Sequence, residues 1–295
     1  MPTSRTASNT SRSNADNEGY EKQYSLSVGN AWRAARVTDP FARFEVKHLS
    51  ATSMLQFRAD PALGILYLVY GIREAGSPAM HRGSALDHTI GQMLDEDITL
   101  DHAGARALAT EHYDSLIEGA EDDYRTADIN RERKVVSQCL DHCYPVVSEW
   151  SAPLAYQHPI RLTLQGIEVP VIGFIDLRYV NVVRELKSSG KPRRGIVDDH
   201  AFQVATYAMA IRQETGEWPQ AFVDYLMPSG MSSFQLKNGK RWVRAVVDTA
   251  ASIRTLLDNA QDKDALCASI QPDYSNWLWR YRPNCLAAAK ELFGS

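Results

Sequence analysis

Three side chains in the middle of the chain have the types and spacing of a hydrolytic metal site. Asp176 ends an apolar run, and Glu185 and Lys187 stand two apart in the next β-branched stretch, VNVVRELK. Residues i and i+2 of a strand share a face, so Glu185 and Lys187 project together, towards Asp176 if the strands pair as a tight meander. Two carboxylates supply hard oxygen ligands for Mg²⁺ or Mn²⁺, with waters in the remaining positions. Such an ion lowers the pKa of one bound water and neutralises charge on phosphoryl oxygens. The Lys187 ammonium can orient that water or stabilise the transition state. The set suits metal-assisted cleavage of a phosphodiester. Gln203 and Tyr207 come next at i and i+4, neighbours on one face of a predicted helix.

The elements that must position these groups can be read from periodicity. Ser50 to Asp128 reads as mostly helical: Ser50–Ala51–Thr52–Ser53 offers caps ahead of Met54, Leu55 and Phe57, and Asp60–Pro61 opens a new start. Gly83 to Leu94 and Ala103 to Ala120 carry apolar residues three and four apart. A further helix is expected from Asp128 to Val147, ended before or at Pro145. The texture changes at Pro159. Ile160 to Leu164 alternates, Gln165–Gly166 turns, a second strand runs from Ile167 to Asp176 and a third covers Val180 to Lys187. An amphipathic helix from Asp198 to Thr215 precedes a strand from Gln220 to Met227. Phe234 to Val247 reads as a hairpin about Asn238–Gly239, a type I′ signal. Helices at Asp248 to Gln261 and Asn284 to Phe293 close the chain.

Taken in order, Gly173–Phe174–Ile175–Asp176, Glu185–Leu186–Lys187 and Gln203–Val204–Ala205–Thr206–Tyr207 resemble the PD-(D/E)XK nuclease superfamily, in its RecB-like exonuclease branch. Upstream, His48 to Ser53 resembles that group's Ser-x-Ser helix start. Arg82–Gly83–Ser84–Ala85–Leu86–Asp87–His88 resembles its R-G-x-x-x-(H/E) helix, whose last residue is a further metal ligand; spacing favours Asp87, with His88 as the alternative. The resemblance covers roughly Leu49 to Met227. It implies that Asp87, Asp176, Glu185 and the backbone carbonyl of Leu186 hold Mg²⁺ or Mn²⁺. It also implies that Lys187 positions the attacking water, and that Gln203 and Tyr207 organise the substrate backbone and the lysine. Asp39, Glu45 and Lys47 fit a similar spacing, but no apolar hairpin precedes them and no Q-x-x-x-Y helix comes after. They read as an exposed strand or linker.

The chain has 295 residues, 44% hydrophobic, with 32 Lys+Arg against 36 Asp+Glu and a net charge of −4. That is an ordinary globular composition with enough apolar residues for a sizeable core. A net acidic chain argues superficially against a nucleic-acid partner, but the charge is uneven. Arg178 to Arg194 holds six basic residues and one acid, a net +5 set against −9 elsewhere. Arg178, Lys191, Arg193 and Arg194 are therefore expected to track DNA phosphates, with Ser53 as a further DNA contact. Trp277, Trp279 and Tyr281 could stack on bases, but packing of the C-terminal segment onto the core is the preferred reading.

Four cysteines are too few for a disulfide scaffold. Cys139, Cys143, Cys267 and Cys285 do not match the one-early, three-late pattern of cluster-bearing RecB-like nucleases, so no iron–sulfur cluster is expected. Cys139 and Cys143 read as core residues of a helix face. The longest apolar run, Ala62 to Gly71, is too short to span a bilayer, and no secretory signal is evident. A cytoplasmic, non-secreted protein with no membrane partner is the expectation.

The expected fold is α/β: a restriction-endonuclease-like mixed β-sheet core flanked by helices, with an N-terminal helical part. Residues 1–23, rich in Ser, Thr and Asn, read as a flexible tail. Residues 24–295 read as a single nuclease domain: a helical part over about 48–150, a catalytic core over about 159–228 and a C-terminal hairpin and helices over 232–295. The function implied is a metal-dependent DNA exonuclease acting in recombination, repair or phage DNA processing, with DNA and a recombination or single-strand-binding protein as partners. The alternatives are a non-catalytic nucleic-acid-binding module of the same fold and a structure-selective endonuclease.

Overall fold

Helix caps act where the sequence puts them. The computed structural model describes residues 39–120 and 124–294; the expected tail at 1–23 lies outside the described residues. After a short helix α1 (Pro40–Arg43) and strand β1 (Leu49–Ser50), helix α2 (Ala51–Ala59) opens on a reciprocal cap. The Ser50 hydroxyl accepts from the Ser53 N–H, and the Ser53 hydroxyl accepts from the Ser50 N–H. Asp60 caps helix α3 (Pro61–Leu68), with Pro61 at the first helical position, where its missing N–H costs nothing. The segment Asp39 to Lys47, which reads as an exposed strand or linker, contains helix α1, and Glu45 adopts a positive φ.

Three longer helices come next: α4 (Pro78–Met93), α5 (His102–Glu118) and α6 (Thr126–Val147). Helix α6 runs past Pro145 instead of ending there. Proline forfeits the bond to the Asp141 carbonyl, but the turn is closed by Ser148 N–H on Tyr144 O and anchored by the buried Val147.

Strands β2 (Ala155–Leu162), β3 (Val171–Arg178), β4 (Val182–Ser188), β5 (Gln220–Met227) and β6 (Gly230–Gln235) join β1 in one mixed sheet of six strands, ordered β1-β3-β4-β5-β6, with β2 also on β3. Helix α7 (Asp198–Thr215) makes the crossover between the parallel strands β4 and β5. β2 begins five residues before the expected Ile160 and carries Pro159 inside it. Among the described residues β2 pairs only with β3, and an edge strand tolerates a residue with no N–H.

The hairpin expected about Asn238–Gly239 is not there. β6 ends at Gln235, and Gly239 starts helix α8 (Gly239–Asp258), with Asn238 left-handed at its N-cap (φ 57°). Asn adopts that conformation readily in a hairpin turn and at a helix start alike, so the dipeptide does not choose between them. The residues downstream choose the helix: Trp242, Val246, Thr249, Ala250, Ile253 and Leu257 are buried at helical spacing. The real hairpin turns one element earlier, at Pro228–Ser229, pairing Met227 with Gly230. The chain continues through helix α9 (Lys263–Ala268), a 3₁₀ turn (Trp277–Tyr281) and helix α10 (Pro283–Phe293).

The sheet is covered on both faces. One core gathers Val183, Val223 and Tyr225 of the sheet with residues of α2, α3, α7, α8 and α10. The other gathers Leu186 and Leu226 with α4, α5 and α6, and buries Cys139 and Cys143. The C-terminal aromatics divide: Trp279 is buried as expected, whereas Trp277 and Tyr281 stand exposed.

Candidate active site

The hairpin that carries the site is only half zipped. β3 and β4 pair at Leu177↔Arg184 and Arg178↔Val183 and then diverge. In the gap, Asp176 Oδ2 accepts the Leu186 N–H at 2.7 Å, replacing a ladder bond with a side-chain one. This opening, which a tight meander does not predict, turns the Asp176 carboxylate towards β4. Glu185 and Lys187 do share a face, and it is the face that α7 covers. Gln203 Nε2 donates to Glu185 Oε1 at 2.7 Å and to the Tyr207 hydroxyl at 2.9 Å, while Lys187 Nζ lies 2.6 Å from Glu185 Oε1. Gly173 makes this fit possible. A Cβ there would stand 3.1 Å from the Tyr207 ring, closer than most side chains allow.

Helix α4 brings in Asp87. Its Oδ2 accepts from the Tyr156 hydroxyl at 2.7 Å and from Gln157 Nε2 at 2.8 Å, and the same amide nitrogen reaches Asp176 Oδ1 at 3.2 Å. His88, the alternative ligand, stacks instead on His112 of α5, with ring centroids 4.2 Å apart. Arg82, five residues before Asp87, is buried in an ion pair with Glu132 and donates to the Ser188 hydroxyl at 3.2 Å, which fixes α4 against the end of β4.

The electrostatics are those of crowded acids short of positive charge. Burial, then the Glu185 and Asp87 charges, raise the Asp176 carboxyl well above the usual carboxylate range. Burial likewise raises Glu185 and Asp87, against the opposing pull of Lys187 on Glu185 and of the Tyr156 and Gln157 hydrogen bonds on Asp87. Burial lowers the Lys187 pKa, but Glu185, Asp176 and Asp87 together outweigh it and hold the ammonium protonated. Asp87 Oδ1 and Glu185 Oε2 are buried and find no hydrogen-bond donor. Buried anionic oxygens left without a donor are costly unless a cation meets them. The residues therefore fit a hard divalent ion. Among the described residues no three His, Cys, Asp or Glu side chains are placed to hold a metal ion together. Mg²⁺, which holds one or two carboxylates and keeps its waters, does not need three.

A family model of the PD-(D/E)XK nuclease superfamily matches residues 48–285. The chain belongs to that superfamily. A solved structure of a candidate exonuclease from Eubacterium rectale shares the fold at a TM-score of 0.50 and 13% identity, covering 83% of this chain and 90% of that one. The solved structure of SSO0001 matches at a TM-score of 0.28 and 13% identity, covering 57% of this chain and 85% of that one. A search of curated proteins finds no match. The PD-(D/E)XK assignment agrees with the restriction-endonuclease-like mixed sheet and makes the chain a nuclease by family.

The basic segment of this nuclease is less uniform than its charge count suggests. Arg178 is held by Glu214 at 2.9 Å and His158 at 2.8 Å. Arg184 is occupied by the buried Asp224. Arg193 donates to the Ser189 hydroxyl and lies over the Tyr225 ring, while Lys191, Arg193 and Arg194 are all exposed. Ser53 is buried, its hydroxyl engaged in the α2 cap. His200 is partly buried: it bonds the Tyr225 hydroxyl at 2.8 Å, and burial with Lys187 and Arg193 lowers its pKa to about 4. Tyr156 and Gln157 were invisible to motif reading, because they precede Pro159 in a stretch with no periodic signal. No described helix is long and apolar enough to cross a membrane.

Proposed function

We propose that this nuclease is a divalent-metal-dependent exonuclease of the RecB-like type that degrades DNA from its ends, in recombination, repair or phage DNA processing. The observation that carries the reading is the convergence of Asp87, Asp176, Glu185 and Lys187 with two buried carboxylate oxygens left open. Asp87, Asp176, Glu185 and the Leu186 carbonyl would hold Mg²⁺ or Mn²⁺. The bound ion would neutralise phosphoryl charge and acidify a water.

The chain's own groups do the rest. Lys187, kept protonated by three carboxylates, serves as a donor and positive charge for the attacking water and the developing phosphorane, not as a base. Gln203 spends its amide donors on Glu185 and Tyr207, which fixes the carboxylate that Lys187 leans on. Lys191, Arg193 and Arg194 face solvent beside β4 and supply phosphate contacts; Arg178 and Ser53 are committed elsewhere and contribute least.

The test is digestion of end-labelled linear DNA, single- and double-stranded, beside closed circular DNA, with Mg²⁺ or EDTA. The reading expects Mg²⁺-dependent loss of linear DNA, progressive from ends, that Lys187→Ala abolishes. Cutting of closed circles would make it an endonuclease. Salt-sensitive binding with no product in any metal would make it a non-catalytic binding module.

A further inference from the structure

The least expected backbone in the site belongs to a residue no motif includes. Gln157 lies inside β2 with φ at 50°, left-handed, and the β2–β3 register skips the Gln157–Asp176 step. A side chain bearing a Cβ adopts that region at a cost, and such residues persist where the surroundings hold them. Consecutive residues of a regular strand point to opposite faces. Tyr156 and Gln157 nevertheless converge on one atom, Asp87 Oδ2, and the left-handed residue is what permits it. The neighbouring helix is shaped for the same contact: a Cβ at Gly91 would stand 2.6 Å from the Tyr156 ring.

We propose that Gln157 is a positioning residue that joins Asp87 to Asp176 and so fixes the two carboxylates about the divalent ion, with Asp87 Oδ1 left open to it. The single amide nitrogen spans the helix ligand and the strand ligand, at 2.8 and 3.2 Å. With Tyr156 it fills Asp87 Oδ2 and leaves Oδ1 as the open acceptor. Among the described residues no other side chain bonds both carboxylates. Partners that orient metal ligands typically control affinity by about 10–100-fold.

The inference rests on the metal-dependent reading of the same site, and the experiment separates the two. Mn²⁺ binding is measured by titration calorimetry on the full chain without DNA, for wild type, Gln157→Asn and Gln157→Gly. Asn and Gly both accept the left-handed backbone, so the fold is kept; Asn is one methylene too short to span both carboxylates, and Gly has no amide. Both variants should keep the wild-type Tm within about 3 °C, bind Mn²⁺ about 10–100-fold more weakly, and regain DNA cleavage as Mn²⁺ is raised. Recovery by excess ion is not expected of a defect in packing or in DNA contact. Wild-type Mn²⁺ affinity in both variants overturns the role of Gln157 and leaves the nuclease reading standing. A wild-type chain that takes no Mn²⁺ overturns both.

Discussion

Two buried charge clusters lie back to back on strand β4, one residue apart, and they are built to opposite rules. Arg184 projects from one face of the strand. Its guanidinium bonds both oxygens of the fully buried Asp224 at 2.9 Å and is held between the rings of Trp150 and Phe222. Glu185 projects from the other, where three carboxylates share one ammonium and two of their oxygens meet no donor. In the first cluster charge is matched and aromatic rings flank the guanidinium. In the second it is unmatched: Gln203, Tyr156, Gln157 and the Leu186 N–H bond the other carboxylate oxygens, while Asp87 Oδ1 and Glu185 Oε2 meet no donor. Burial of charge marks both clusters; unmet acceptors mark only the one proposed to carry the chemistry.

That contrast can be broken from either side. The largest effect is expected on activity. Lys187→Ala should lower Mg²⁺-dependent DNA cleavage by about 10³-fold, ~4 kcal/mol of transition-state stabilisation, measured as kcat on end-labelled substrate. Next, Asp224→Ala should cost about 3 kcal/mol in a urea melt, because it strands a partly buried guanidinium, while cleavage per folded molecule stays within about threefold.

The third effect has the opposite sign. Asp176→Asn should stabilise the metal-free protein at pH 7 by ~1–2 kcal/mol, since it removes a desolvated charge and keeps an acceptor for the Leu186 N–H. The direction of the pH dependence comes from the raised Asp176 pKa. A carboxyl whose pKa is higher folded than unfolded contributes stability below its unfolded value, near pH 4, and loses it as pH rises through the folded value. Melts in EDTA from about pH 4 upward should therefore show the variant's advantage growing with pH and vanishing at the acid end. The smallest effect belongs to the surface. Lys191→Ala and Arg194→Ala should each reduce the slope of log affinity for DNA against log salt by about 1, and Arg178→Ala, whose guanidinium is already paired, by much less.

Much of this molecule can be read from its sequence, and the failures share a cause. The order Asp176, Glu185–Lys187, Gln203–Tyr207 is legible because each spacing maps onto one element: i, i+2 on a strand and i, i+4 on a helix. The cap at Ser50 and the start at Asp60–Pro61 are legible for the same local reason. Asn238–Gly239 misleads because its left-handed preference serves two elements, and only the burial of Trp242 and Val246 decides between them. The pairing of Arg178 with Glu214 and of Arg184 with Asp224 is hidden from a local charge count because the partners lie 36 and 40 residues away. Tyr156 and Gln157 leave no signal: their bonds to Asp87 depend on a backbone angle and on a space at Gly91 that only the assembled fold defines.

The central claim is that the unmatched cluster does the chemistry and the matched one holds the sheet. Its most direct test is the cleavage rate of Asp176→Asn and Asp224→Asn side by side, on the same labelled linear DNA with saturating Mg²⁺, normalised to folded protein. The account predicts a loss of about 10³-fold for Asp176→Asn and a rate close to wild type for Asp224→Asn. Equal losses in the two variants, or an active Asp176→Asn, would contradict it.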